Sequence, residues 1–185
     1  MRVLLTEAGL GLDNDTLRLE RTTQKWVDAG ARLRDELADL LANQVAGVEQ
    51  VGSSSVVGLL AKPIIDIAIG LADEHDLLPV DEGLVGAEWI YRGDAGASGG
   101  HVFVLESKPG HRVAHAHVVG HQGEQWLNYL RLRNLLREDP TARARYEAVK
   151  QQLASQVGDD RVAYTDGKTS IVHQLLQESA AAADE

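Results

Sequence analysis

Gln50-Val51-Gly52-Ser53-Ser54-Ser55-Val56-Val57-Gly58-Leu59-Leu60-Ala61-Lys62-Pro63-Ile64-Ile65-Asp66-Ile67-Ala68-Ile69 couples a glycine-serine turn to an apolar strand that carries one carboxylate. These are the parts that chemistry on a phosphorylated nucleotide needs. A glycine lets backbone N–H groups approach phosphate, hydroxyls donate to it, and a nearby carboxylate holds a metal. Asp66 interrupts an otherwise continuous apolar run, where an unpaired charge is costly. It is therefore the first candidate for a metal ligand.

Working outward, 185 residues with 44% hydrophobic content suit one compact unit, expected over 1–178 with a disordered tail at 179–185. No apolar stretch reaches the length of a membrane span and no secretory leader is visible, so the expectation is a cytoplasmic chain without a membrane partner. The absence of cysteine excludes disulfides, thiolate metal sites and thiol nucleophiles. Any metal must then sit on Asp, Glu or His. A net charge of −10 argues against nucleic acid as a partner, because binding along a phosphate backbone needs a basic stripe. A small anion needs only a local cluster, for which Lys62, Arg92, Arg112, Arg133, Arg137 and Lys168 are the candidates.

Periodicity predicts a strand over 1–6, a turn over 9–14, and a helix from about 15 to 46 that Gly30 bends or divides. A strand over 45–51 leads into the glycine-serine turn, two helical turns span 53–60, and 63–69 fits a central strand buried on both faces. Beyond it the pattern predicts a helix over 76–85 and strands over 88–92, 101–106 and 112–119, the last two joined at Lys108-Pro109-Gly110. Helices are expected over 124–137, over 140–156 with Asp139 as cap and Pro140 at the first position, and over 169–178. Gly9-Leu10-Gly11 lacks the third glycine of a dinucleotide fingerprint. Gly96-Ala97-Ser98-Gly99-Gly100 satisfies a nucleophile-elbow pattern but has strands on both sides where that motif needs a strand and a helix.

In Val113-Ala114-His115-Ala116-His117-Val118-Val119 the two histidines project from one face of a strand. One reading turns the alanines to the core and the histidines to water. The other has the histidine face line the pocket that holds Asp66, adding a metal ligand or a general base.

The run from Gly52 to Ile67 resembles the GrpB family, which reads roughly His-Ile-Gly-Ser-Thr-Ser-Val-Pro-Gly-Leu-Ala-Ala-Lys-Pro-Ile-Ile-Asp-Ile there. Gly52, Ser53, Ser55, Val56, Gly58, Leu59, Ala61, Lys62, Pro63, Ile64, Ile65, Asp66 and Ile67 match. Downstream, Tyr91-Arg92-Gly93-Asp94, the arginine motif at Arg133, Leu136, Arg137 and Pro140, and Tyr164-Thr165-Asp166-Gly167-Lys168 follow in family order, and relatives show a His-x-His pair. The chain departs from the pattern at Gln50, Ser54, Val57 and Asn134.

The resemblance implies an α+β (α/β-like) domain of nucleotidyltransferase type, with a mixed sheet, packed helices and a helical C-terminal portion. It implies transfer of a nucleotidyl group from a nucleoside triphosphate to a small acceptor. Gly52, Ser53, Ser54, Ser55, Lys62, Arg92, Arg133, Arg137 and Lys168 would then bind phosphate. Asp66, His115 and His117 would hold Mg2+ or Mn2+, with Zn2+ also open, and carry the catalysis. One departure bears on mechanism. Two-metal transferases place a second carboxylate two residues after the first, to bridge ions about 4 Å apart, and that position is Ala68. Glu106, His115 or His117 would have to replace it. A catalytically silent nucleotide- or coenzyme-binding module therefore stands as the alternative, since GrpB-like domains occur fused to dephospho-coenzyme A kinases. A specialised biosynthetic enzyme using the same pocket is a third reading.

Overall fold

In the computed structural model, which describes residues 1–73, 77–95 and 100–183, the run quoted above ends in an interior strand of a mixed six-stranded sheet. Helix α1 (Arg2–Glu7), the short strands β1 (Leu12–Asp13) and β2 (Glu20–Arg21), and helix α2 (Gln24–Leu41) precede it. Strand β3 (Gly47–Val51), a 3-10 turn (Ser53–Ser55), β4 (Leu60–Ala61) and β5 (Ile65–Leu71) form the run itself. Helix α3 (Leu78–Gly86) and strands β6 (Ile90–Asp94), β7 (His101–Lys108) and β8 (His111–Gly120) follow. The chain then continues as α4 (Glu124–Glu138), α5 (Pro140–Val157), α6 (Arg161–Gly167) and α7 (Thr169–Ala183).

The strand order is β3-β5-β8-β7-β6, and β1 pairs with the start of β8. Among the described residues only β5 and β8 are parallel neighbours. One face of the sheet presents Ile65, Ile67, Ile69, Phe103, Ala114, Ala116 and Val118 to α1, α2 and α3, and this is the main core. The other face is covered in part by α4, where Val51, Ala68, Val119 and Trp126 pack together. The C-terminal helices meet the glycine-serine turn in a third cluster, with Val56 and Leu59 against Leu136, Tyr146, Ile171 and Leu175.

Several sequence expectations are corrected. Residues 2–7 form a helix, not a strand: with Leu5 driven into the core against α2, a short apolar run takes whichever period its neighbours reward. The helix expected from 15 to 46 begins only at Gln24, because Glu20 and Arg21 pair with Ala61 and Leu60. Gly30 does not divide α2. It makes room for Gln50, whose Nε2 would lie 2.0 Å from a Cβ at that position. The two helical turns expected over 53–60 contract to one 3-10 turn, since Gly58 takes a φ of 81° and the chain returns to strand at Leu60. Helix α6 was not anticipated, although Asp160 caps it by accepting from the N–H groups of Val162 and Ala163 at 3.0 and 2.9 Å. The last helix runs on to Ala183, past the 179 expected to begin a tail, as an alanine-rich run favours.

Other expectations hold. Asp139 accepts from Thr141 and Ala142 N–H at 2.7 and 3.1 Å with Pro140 at the first helical position. The nucleophile-elbow pattern lies between antiparallel strands β6 and β7, and its residues 96–99, like residue 76 of the expected third helix, lie outside the described residues.

Candidate metal and phosphate site

Asp66 sits on β5 directly opposite His115 of β8, and Ala68 sits opposite His117. In a pleated sheet side chains two apart share a face, so this parallel register delivers all three polar side chains to one side. His115 Nδ1 approaches Asp66 Oδ1 to 3.3 Å, and His117 Nε2 approaches the same oxygen to 3.8 Å. One ligand atom from each residue lies within 4.8 Å of the other two, making this the one His/Asp/Glu cluster of metal-binding size among the described residues. The side chains remain 32%, 15% and 20% exposed, so the cluster opens to a small ligand.

Burial raises the proton affinity of Asp66, but the adjacent His115 and His117 outweigh it and hold the carboxyl well below the usual carboxylate range. Burial pushes His115 down to about 4 against the opposing pull of Asp66. At neutral pH the cluster is thus an ionised carboxylate beside a neutral imidazole at His115, the protonation state in which these groups ligate cations. His115 Nε2 and His117 Nδ1 are buried without a hydrogen-bond partner. Their free outer nitrogens leave the rings oriented by packing, and Tyr129 of α4 supplies part of it at 5.4 Å between ring centres from His117.

Gly52 closes the other side of Asp66. Its φ is 71°, and a Cβ there would stand 2.6 Å from Asp66 Oδ2. Glycine is required twice, by the left-handed backbone and by the close approach.

The serines have uneven roles. Ser54 and Ser55 are buried; Ser55 Oγ donates to the Gly52 carbonyl at 2.7 Å, while Ser54 Oγ has no partner. Ser53 Oγ accepts from Lys150 Nζ at 3.1 Å. Arg137 donates to the Ser55 carbonyl at 3.0 and 3.3 Å, and Arg133 reaches Glu49 at 2.7 Å and the Gln50 carbonyl at 2.9 Å. Both arginines brace the turn. Arg92 is taken by Glu106 at 3.0 Å, and Glu106 also accepts from Gly110 N–H. Glu106 is thus already engaged, and the β8 residue in register with Ala68 is His117. Lys62 and Lys168 converge on the ring of Tyr164, at 5.6 and 4.9 Å from its centre.

Lys150 was not found from the sequence. It is 1% exposed, donates to Ser53 Oγ and the Leu60 carbonyl, and stacks 4.6 Å over Tyr146. Its signal was the four-residue spacing from Tyr146, which puts both on one face of α5.

A mixed sheet with a glycine-serine turn at the end of one strand and a carboxylate on the next defines a nucleotidyltransferase-like fold. Solved structures agree at the level of fold. The structure of the GLD-2/RNP-8 complex matches at a TM-score of 0.51 and 13% identity, over 93% of this chain and 62% of that one. Cid1 in complex with its short product ApU matches at 0.50 and 13%, over 74% and 43%. The crystal structure of conserved protein GrpB from Enterococcus faecalis matches at 0.71 and 27%, over 88% of this chain and 99% of that one. The GrpB protein family profile matches residues 16–178, and the chain belongs to that family. Glutamate-rich protein GrpB of Alkalihalophilus pseudofirmus is 28% identical over 91% of this chain and 99% of its own length. A UPF0157 protein of Streptomyces coelicolor is 33% identical over 85% and 81%. Among the described residues no helix is long and apolar enough to cross a membrane.

Proposed function

We propose that the protein binds one divalent cation between Asp66, His115 and His117 and acts on a phosphorylated small molecule, transferring a nucleotidyl group from a nucleoside triphosphate to a small acceptor. The observation that carries this reading is the convergence of one carboxylate oxygen and two imidazole nitrogens within 4.8 Å of one another on one sheet face, beside Gly52. Two nitrogens and one oxygen suit Zn2+, Mn2+ or Fe2+ better than Mg2+, which takes oxygen ligands and keeps its waters. When bound, such an ion polarises a phosphoryl oxygen and offsets the charge that develops there.

The chain's own groups do the rest. Asp66 supplies the anionic ligand, and burial keeps His115 unprotonated. Lys62 and Lys168 offset phosphate charge, and Arg133 and Arg137 fix the turn from behind through its carbonyls. In the transfer, an acceptor oxygen or nitrogen bonds to the α-phosphorus, the bond to the bridging oxygen breaks, and pyrophosphate leaves. The acceptor's proton passes to solvent.

A silent binding module is the second reading, and Ala68 favours it. Ala68 packs with Val51, Val119 and Trp126 and offers no ligand, so the second carboxylate of a two-metal transferase is missing from this strand. A thermal-shift screen of nucleoside triphosphates and coenzyme A precursors with Mn2+, Zn2+ or Mg2+ tests the ligand class. At 100 times its dissociation constant a true ligand adds about 2.7 kcal/mol, or about 5–10 °C in a chain of this size. Asp66→Asn should abolish the metal-dependent part of the shift while the fold persists. Retained metal affinity in that variant refutes the site, and binding without pyrophosphate release across all acceptors selects the silent module.

A further inference from the structure

Basic side chains in this chain are mostly committed: Arg21 to Glu147, Arg133 to Glu49, Arg145 to Glu178, Arg92 to Glu106. Four are not. Lys62, Arg112 and Lys168 have no ion pair or hydrogen bond among the described residues, and Arg161 has only a 3.4 Å contact with the Asp13 carbonyl. All four are partly buried. In a chain of net charge −10, four basic groups gathered with no carboxylate in an ion pair with them among the described residues are an unfavourable arrangement unless an anion joins them.

We propose that Lys62, Arg112, Arg161 and Lys168 form an anion subsite on the β8 and α6 side of Asp66 that takes two adjacent phosphate groups and does so without a metal. The ligand class rests on the phosphate reading above; the subsite itself does not require the cation.

A β-bulge aims Arg112 into this place. Leu105 pairs with Ala114 but Glu106 pairs with Arg112, so β8 carries one extra residue at Val113. Val113 and Ala114 both enter the main core, which returns Arg112 to the face that holds His115. Arg112 Nε is buried and has no partner, an unused donor on a guanidinium built to fork onto phosphate oxygens. Arg161 comes from the first position of α6. Lys62 and Lys168 flank the Tyr164 ring of the same helix.

Mutual repulsion is visible at Lys62 and Arg161. Lys62 is pushed down to about 7, chiefly by burial, then by Lys168, with Arg161 and Arg112 adding to it. Arg161 is lowered by burial and then by Arg112. The acidic groups facing the cluster are Asp66, exposed Asp15, and Glu106, which Arg92 already holds. A compact patch on an acidic protein fits a short phosphate chain, whereas RNA needs a longer basic track.

Isothermal titration with inorganic pyrophosphate in EDTA at low salt tests the subsite. Wild type should bind pyrophosphate at least about ten-fold tighter than orthophosphate, and Arg112→Gln and Arg161→Gln should each lose about ten-fold or more, as expected for a charge-assisted fork. Asp66→Asn, which removes a carboxylate facing the cluster, should bind pyrophosphate without metal at least as tightly as wild type. Arg112→Lys, which keeps the charge and the fold but loses the fork, should fall between, and circular dichroism checks each variant. Unchanged affinity in both glutamine variants overturns the proposal. So does pyrophosphate binding that needs Mn2+ and disappears in Asp66→Asn, a result that leaves the metal reading standing. Metal-free binding lost only in the arginine variants, with no metal bound at Asp66, keeps the subsite and removes the metal reading instead. Tighter binding of a single-stranded oligouridylate with the same arginine dependence assigns the patch to RNA and overturns the proposal. Within a positive result, displacement of pyrophosphate by a non-hydrolysable nucleoside triphosphate identifies the donor's phosphate chain as its occupant, and simultaneous binding identifies a phosphorylated acceptor.

Discussion

At Gly52 a single missing methyl group sets the distance between the turn and the carboxylate. Gly52→Ala would place a Cβ 2.6 Å from Asp66 Oδ2 on a backbone with φ of 71°. The expected cost is about 1–3 kcal/mol, from left-handed strain and from displacement of Asp66. Urea unfolding reads the first effect and metal titration the second, which should fall at least about ten-fold given that a ligand is moved. An alanine variant with wild-type stability and metal affinity would show that Asp66 has room to move. Ala68 makes the complementary point. With Trp126, Val51 and Val119 around it, the side chain is small because the space is already filled.

Elements join through α5, whose Lys150 reaches across to the turn and to β4. Burial, with Lys168 adding repulsion, lowers Lys150 to about 7, far below the ordinary lysine value of about 10.4. Below pH 7 both folded and unfolded chains carry the proton and the full cost of burying the charge is present. As pH rises from 7 toward 10 the folded chain gives up the proton while the unfolded chain keeps it, so stability should rise through that window. Lys62, lowered in the same range, adds to the slope. Lys150→Met should flatten the rise of the urea midpoint between pH 7 and 9.5 by about half, because one of two similar groups is removed. Parallel curves for variant and wild type would mean that Lys150 titrates normally.

For the whole molecule, the question is how many metal ions the fold accepts. One cluster of the right size among the described residues, with no ligand offered by Ala68 two residues on, predicts one ion per chain. Metal analysis of chain dialysed against Mn2+ or Zn2+ should give a molar ratio near one, and Zn2+ or Mn2+ should bind at least about ten-fold tighter than Mg2+ on donor type alone. A ratio of two, or preference for Mg2+, would restore an oxygen-ligated two-ion site and contradict the imidazole assignment.

The sequence by itself determined the local parts: the glycine-serine turn, the buried strand with Asp66, the histidine pair on one strand face, and the capped helix at Asp139. Each is written in a short window, as a period of two, a residue that permits positive φ, or a side chain that accepts from the next turn. The third helix of the C-terminal portion was equally local, since Asp160 begins it, but its seven residues are too short to show a period. Only the tertiary structure decided that residues 2–7 are helical, that Gly30 serves Gln50, and that Arg112 joins the histidine face. These depend on which strand lies beside which, and on one extra residue at Val113. The union of Asp66 with His115 and His117 is of the same kind. Forty-eight positions separate Asp66 from His115 along the chain, and their meeting rests on the parallel register of β5 and β8, which no pattern within either strand encodes.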